Sequence, residues 1–172
     1  PFSATVIDQN MLRDAGISSL ADITRLDAGI TDAYNAPGYW NQLAVRGYTL
    51  DNRFNYRRDG LPINAETVIG QANKQRLEVL KGTSGLQAGT SAPGGLLNLV
   101  VKRPGARVRD ANVAFTQDGT LEAALDVGER TNGGIGWRIN LDAARLDPQT
   151  RNSRGNRWLA AAAFDMKLGS AT

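Results

Sequence analysis

The sequence predicts an α+β domain over residues 1–104, a mixed sheet with short helices, followed over residues 105–172 by consecutive antiparallel β-hairpins. Three observations lead there. Two short amphipathic helix patterns interleave with strand patterns before Pro104. From Asp110 onward the hydrophobic period becomes two. The 19 glycines outnumber the six prolines and follow no triplet period, so they serve turns and a collagen-like rod is excluded. With 172 residues, 41% of them hydrophobic, the chain can bury a core, and disorder is not its overall state.

Residues Ala4 to Ile7 read as a strand. Asp8 caps a helix carrying Met11, Leu12 and Ala15, which Gly16 stops. Ser18 or Ser19 caps a second helix, with Leu20, Ile23 and Leu26 on one face. A polar, aromatic loop punctuated by Gly and Pro then runs from Thr31 to Gln42, and a strand from Leu43 to Val45 ends at Arg46-Gly47. Another strand, Phe54 to Arg58, enters the turn dipeptide Asp59-Gly60. Arg76 to Leu80 is a strand closed by Lys81-Gly82, and Leu96 to Lys102 is one more.

In the second half Leu121, Ala123, Leu125 and Val127 alternate with polar or small residues, as do Ile135, Trp137, Ile139, Leu141 and Ala143. Val113 and Phe115 mark a strand before the turn Gln117-Asp118-Gly119. Trp158, Ala160, Ala162, Phe164 and Met166 mark one after the polar loop Pro148 to Asn156. The alanine run Ala160 to Ala163 prefers helix by propensity, and its neighbours argue for strand. Period alone leaves two readings open: a sheet whose apolar face covers a soluble core, or a transmembrane β-barrel whose apolar face meets lipid while Glu122, Asp126, Arg138, Asp142, Asp165 and Lys167 face a wet lumen. Strand length, connections alternating between a tight Asp118-Gly119 turn and longer polar loops, and tryptophans at strand ends favour the barrel. About four strands cannot close one, so the barrel is incomplete and its other strands are expected outside this sequence. The opening Pro1-Phe2-Ser3 suggests a processed or trimmed chain.

The residue inventory narrows the chemistry. No Cys and no His are present, which removes disulfides, structural zinc and imidazole-based relays. The basic side is 16 arginines and four lysines, and the net charge is +3 with no dense basic run, so nucleic acid is not an expected partner. No apolar stretch reaches the roughly 18 residues of a membrane helix. The glycine-rich segment Gly82 to Ser91 lacks both the Walker spacing and a dinucleotide fingerprint. Asp59, Glu66 and Glu78 lie on different elements, so no carboxylate pair is set for acid–base work. No catalytic residue and no metal site is expected, and the chain does not read as an enzyme.

Four motifs occur in order: Leu43-Ala44-Val45-Arg46-Gly47-Tyr48, Tyr56-Arg57-Arg58-Asp59-Gly60-Leu61-Pro62, Leu77-Glu78-Val79-Leu80-Lys81-Gly82, and Ala92-Pro93-Gly94-Gly95-Leu96 continuing to Lys102-Arg103-Pro104. Together they resemble the plug domain of TonB-dependent outer-membrane receptors, in particular the siderophore-receptor branch, over about residues 1 to 104; the following hairpins look like the first barrel strands. The resemblance implies energy-coupled uptake of ferric siderophores through a plugged barrel in the outer membrane of a Gram-negative bacterium. Its partners would be a ferric siderophore, TonB with ExbB and ExbD, and outer-membrane lipid. Iron would arrive as a chelate, so no protein-held cofactor is implied. The resemblance also assigns apical ligand-binding loops containing Tyr34, Asn35, Tyr39, Trp40, Asn52, Arg53, Glu66 and Thr67. Arg46 and Lys81 match basic positions that pair with glutamates of the barrel wall; a local ion pair of these two with Glu78 or Asp59 is the alternative. A TonB box and most of a barrel are absent from these residues. Receptors for cobalamin or an oligosaccharide, and a soluble α+β binding module, remain the rival readings.

Overall fold

The computed structural model describes residues 3–36, 39–82, 93–149 and 151–167, and falls into two compact units, Pro1–Val101 and Lys102–Thr172. The glycine-rich segment Gly82 to Ser91 lies, beyond Gly82, outside the described residues.

The first unit opens with β1 (Ser3–Asp8) and α1 (Gln9–Asp14). Asp8 caps α1 as its sequence predicts, accepting the Met11 N–H at 2.9 Å, and Gly16 leaves the helix at φ +59°. The second helix is a 3₁₀ helix, Leu20–Arg25. Its apolar residues recur every third position, which is the period of that tighter helix, and Asp22 reaches back to the Ser19 N–H at 2.8 Å.

Residues 31–42, read from sequence as a loop, form most of a hairpin instead: β2 (Ile30–Ala36) pairs antiparallel with β3 (Trp40–Val45). Thr31, Tyr34 and Trp40 are strand-favouring types, and polarity hid them because β2 is exposed on both faces over residues 31–35. Arg46-Gly47, with φ of 51° and 82°, turns β3 into β4 (Tyr48–Thr49). Asp59-Gly60, with φ of 50° and 82°, turns β5 (Tyr56–Arg58) into β6 (Leu61–Pro62). Both are two-residue loops with two left-handed residues, the geometry whose twist matches a hairpin. Phe54, expected in β5, sits in the preceding turn, its N–H on the Asp51 carbonyl at 3.1 Å.

The strands β7 (Lys74–Lys81) and β8 (Gly95–Val101) complete the unit. Its main sheet runs β1-β7-β8-β5-β6, all neighbours antiparallel except β5 and β8, so it is the mixed sheet expected. A second sheet is β2-β3-β4. Ile7, Ile23, Ile30, Leu43, Val45, Leu77, Val79, Leu97 and Leu99 are buried in one core with Tyr56. The Tyr56 hydroxyl accepts the Leu43 N–H at 3.3 Å, tying the two sheets, and burial pushes its pKa up to about 12.

The second unit is one antiparallel sheet, β12-β11-β10-β9, built from β9 (Val108–Phe115), β10 (Leu121–Arg130), β11 (Ile135–Leu146) and β12 (Gly155–Met166). The alanine run is strand, paired residue for residue with β11. The first two connections are both short, because Thr131 to Gly134 closes a turn with Gly134 at φ +83°; only β11 to β12 has a long one, so the expected alternation is not seen.

This sheet is polar where it is buried and apolar where it is exposed. Trp158 and Phe164 are 80% and 72% exposed, with Val113, Phe115, Leu121, Ile135 and Met166 exposed beside them, while Asp126 and Asp142 are only 5% and 4% exposed. The buried side is an ion-pair array. Asp126 accepts from Arg138 at 2.7 and 2.9 Å and from Lys102 at 2.8 Å; Arg157 bridges Glu122 at 2.8 Å and Asp142 at 3.2 Å. Arg138 also donates to the Arg103 carbonyl at 3.1 Å, and Arg130 to that of Pro104 at 3.2 Å and to Asp165 at 2.8 Å. The three residues that follow β8 are thereby fastened to the strands of this unit.

Candidate functional site: an apex and a clasp on the first unit

β3 has one end in a cluster of exposed loops and the other in a knot of charged and hydroxyl groups, about 20 Å apart at 3.3 Å per residue. The eight predicted ligand-binding residues belong to the first end. Tyr34 and Trp40 face each other across the hairpin, ring centroids 5.1 Å apart and tilted by 44°, and Asn41 donates to the Asn35 side chain at 2.5 Å. Tyr39, at the start of the returning strand, is exposed.

Asn52 differs from the other seven: it is 3% exposed, so it is not a surface contact. Its amide donates to the carbonyls of Asn41 at 2.9 Å and Ala65 at 2.7 Å, while the Ala65 N–H donates to the Asn52 carbonyl at 2.8 Å. Asn52 thus gathers three segments, 39–41, 51–54 and 64–67, into one apex. That task has no sequence signature, because its partners are backbone groups far along the chain.

On that frame Arg53 lies exposed, forked onto Asp51 at 2.9 and 3.1 Å with its guanidinium 5.2 Å from the Phe54 ring centre. The hydrogen bond from Arg53 holds the Asp51 carboxyl below its ordinary value, and Asp51 first, then the charge of Glu66, holds Arg53 protonated. Glu66 is exposed and bonded to Asn64 at 3.1 Å, and Thr67 is exposed next to it. Aromatic faces beside a guanidinium can take a flat, oxygen-rich anion by stacking and charge-assisted hydrogen bonds.

The other end brings Arg46 and Lys81 together. Arg46 donates from its backbone to the Gly29 carbonyl at 2.9 Å and from its side chain to Ser3 Oγ at 2.7 Å; Ser3 is paired opposite Lys81 in the sheet. The Lys81 ammonium contacts Asp27 at 2.5 Å, with both side chains mostly buried. Asp27 also accepts from Thr5 at 2.7 Å and the Gly29 N–H at 2.8 Å. The local partner of Lys81 is therefore Asp27, whereas Glu78 is held by Arg76 at 2.7 Å and Asn98 at 2.9 Å. The only hint in the sequence was Asp27-Ala28-Gly29, a spacing at which an Asp can bond the backbone two residues on.

Burial alone would raise the Asp27 carboxyl, but the bonds from Lys81, Thr5 and Gly29 outweigh it and leave it below 3.8. A depressed carboxylate adds stability that is present above its unfolded pKa and is lost as pH falls through the folded one. Stability of the first unit should therefore drop as pH falls below about 4, and Asp27→Asn should flatten that slope while lowering stability at neutral pH. Urea unfolding at several pH values checks this; an unchanged slope would remove Asp27 as its source.

Compared with known proteins, residues 1–96 match the TonB-dependent Receptor Plug Domain family. The chain is 34% identical over 113 residues to the Ferripyoverdine receptor of Pseudomonas aeruginosa, covering 60% of this chain and 13% of that protein. It is 28% identical over 151 residues to the Ferrichrome receptor FcuA of Yersinia enterocolitica, covering 82% and 20%. Among solved structures, Pseudomonas aeruginosa FpvA bound to heterologous pyoverdines superposes with a TM-score of 0.88 at 24% identity, over 99% of this chain and 24% of the other. The ferric-catecholate import receptor Fiu of Escherichia coli K12, in its open form, gives 0.84 at 24% identity, over 98% and 25%. The two relatives and the Escherichia coli structure are named as receptors, and this chain spans about a quarter or less of each of the four proteins. Because the match covers more than half of the chain and falls on the unit that carries both apex and clasp, the chain belongs to the TonB-dependent receptor plug domain family.

Proposed function

We propose that this chain is the plug and first barrel strands of a TonB-dependent outer-membrane receptor that takes up ferric siderophores, with the apex as part of the chelate-binding surface. The observation that carries the reading is the inverted second unit: carboxylates and guanidiniums buried in pairs on one face, large apolar side chains bare on the other. A soluble module would hide Trp158 and Phe164 and expose Asp126. A barrel wall does the reverse, since its outside meets lipid and its inside is polar. The names of the curated relatives support a ferric chelate over cobalamin or a sugar.

In this reading the chelate stacks on Tyr34, Tyr39 and Trp40 and is met by Arg53, and TonB, driven through ExbB and ExbD, acts on the plug. Binding passes a signal only if the chelate favours one plug conformation over another. Arg46 and Lys81 would exchange their present partners, Ser3 and Asp27, for acidic groups on the barrel wall as part of that change.

Replacing Tyr39 and Arg53 together with Ala in the intact receptor should weaken binding of its ferric chelate by about 10- to 100-fold, the size of one charged hydrogen bond plus one aromatic contact. Ferripyoverdine and ferrichrome are the first chelates to titrate, with receptor abundance in the membrane held as control. Equal affinity in parent and variant would remove the apex from the binding surface. Ile139→Arg, mid-strand on the exposed face of β11, should cost about 2–4 kcal/mol of assembly. Normal yield of the heat-modifiable barrel would show that this face does not meet lipid.

A further inference from the structure

We propose that Arg145, Asn156 and Trp158 form a site for the phosphate of a membrane-lipid headgroup on the exposed face of the second unit, an inference that rests on the reading of that face as lipid-exposed. The sheet register places the three side chains together. Arg145 is paired with Leu121 on one side and Asn156 on the other, and Trp158 pairs with Ala143, one step down the same face and diagonal to Arg145. Diagonal neighbours about 7–8 Å apart are within reach of long side chains.

Arg145 stands among large apolar side chains at its end of this face. It shares its face with Leu121, Leu141 and Trp158, and among the described residues its guanidinium makes no ion pair or hydrogen bond. β11 is flanked by β10 and β12, so this emptiness does not come from a sheet edge; Arg109, which among the described residues likewise makes no ion pair, lies on the edge strand β9. The arginines on the buried face, Arg130, Arg138 and Arg157, are each bound to a carboxylate. An arginine on the apolar side, with no anion among the described residues beside it, can take one from its surroundings.

Its height fits a headgroup. Twelve residues of β11 extend about 40 Å, or about 28 Å when tilted by roughly 45°, close to the thickness of a hydrocarbon core. Arg145 is the penultimate residue of that strand, so it lies at the rim of the apolar band, and the indole of Trp158 is the side chain expected at that level. The guanidinium, the Asn156 amide and the indole N–H are all donors, and no carboxylate belongs to this group, which suits a phosphate with its several acceptor oxygens.

The test uses the intact receptor in detergent, titrated with dioleoyl phosphatidic acid or dioleoyl phosphatidylcholine and followed by native mass spectrometry. The parent should retain phosphatidic acid at roughly tenfold lower concentration than phosphatidylcholine. Arg145→Gln and Asn156→Ala should reduce that preference and Arg109→Gln should leave it, with heat-modifiable protein recovered equally in all. Equal retention of both lipids by the parent, or a preference unchanged in Arg145→Gln, overturns the phosphate site while leaving the barrel reading in place. A receptor that stays monodisperse without detergent and retains neither lipid overturns both.

Discussion

Replacing Asp126 with alanine should destabilise the second unit by about 3–5 kcal/mol, the usual cost of removing one member of a buried ion cluster. The carboxylate is shared by two cations, Lys102 at 2.8 Å and Arg138 at 2.7 Å, and all three side chains are largely buried. Without it two positive charges face each other in a poorly solvated space. The damage should spread to the chain that follows β8, because Arg138 also holds the Arg103 carbonyl and Lys102 loses its ion pair with Asp126. Denaturant titration of the intact receptor would read the loss, and limited proteolysis should open between Val101 and Val108. Asp126→Asn keeps the shape and some hydrogen bonds and should lose less. Stability within about 1 kcal/mol of the parent for Asp126→Ala would mean that water already screens the cluster, as it does for exposed pairs.

Gly95→Ala should be at least as harmful, for a reason that involves no charge. Gly95 begins β8 at φ +149°, and a Cβ there would lie 2.2 Å from the backbone oxygen of Leu80 on β7. No rotation relieves a contact between a Cβ and a main-chain atom, so the two strands must separate. They are central strands of the sheet and carry buried Leu77, Val79, Leu97 and Leu99. A loss of about 4 kcal/mol or more is expected, in the range reserved for core disruption and backbone strain. Gly94→Ala is a useful comparison, since its Cβ would meet the Tyr48 Cβ at 2.8 Å. A Gly95→Ala receptor that assembles in normal amount and unfolds at the parent's denaturant concentration would sink the argument.

Both sites were partly legible before folding. Gly94-Gly95 stood in a recognisable motif, and Asp126 stood on the polar side of a clean alternation. Neither the Leu80 oxygen nor the pairing with Lys102 could be read, because each depends on where another strand passes. The loop reading of residues 31–42 failed in the same way: a strand exposed over residues 31–35 carries polar residues that resemble a loop when its partner is unknown. The apical residues were placed near one another through a family resemblance, and the geometry then separated Asn52 from the rest as a buried fastener.

By itself the sequence determined the periods, the turns and the membership of faces. Asp59-Gly60 favours a tight turn through its own sterics, Asp8 caps a helix through atoms three residues away, and period-two alternation puts Trp158 and Phe164 on one side of a strand. These depend on local sterics and short-range hydrogen bonds, which the chain carries with it. Tertiary structure alone decided which side would be buried, that Lys81 would meet Asp27 and not Glu78, and that Arg145 would stand without an anionic partner among the described residues. Those outcomes depend on burial and on partners from distant segments, and a charge or an apolar side chain has no fixed energetic value until its surroundings are known.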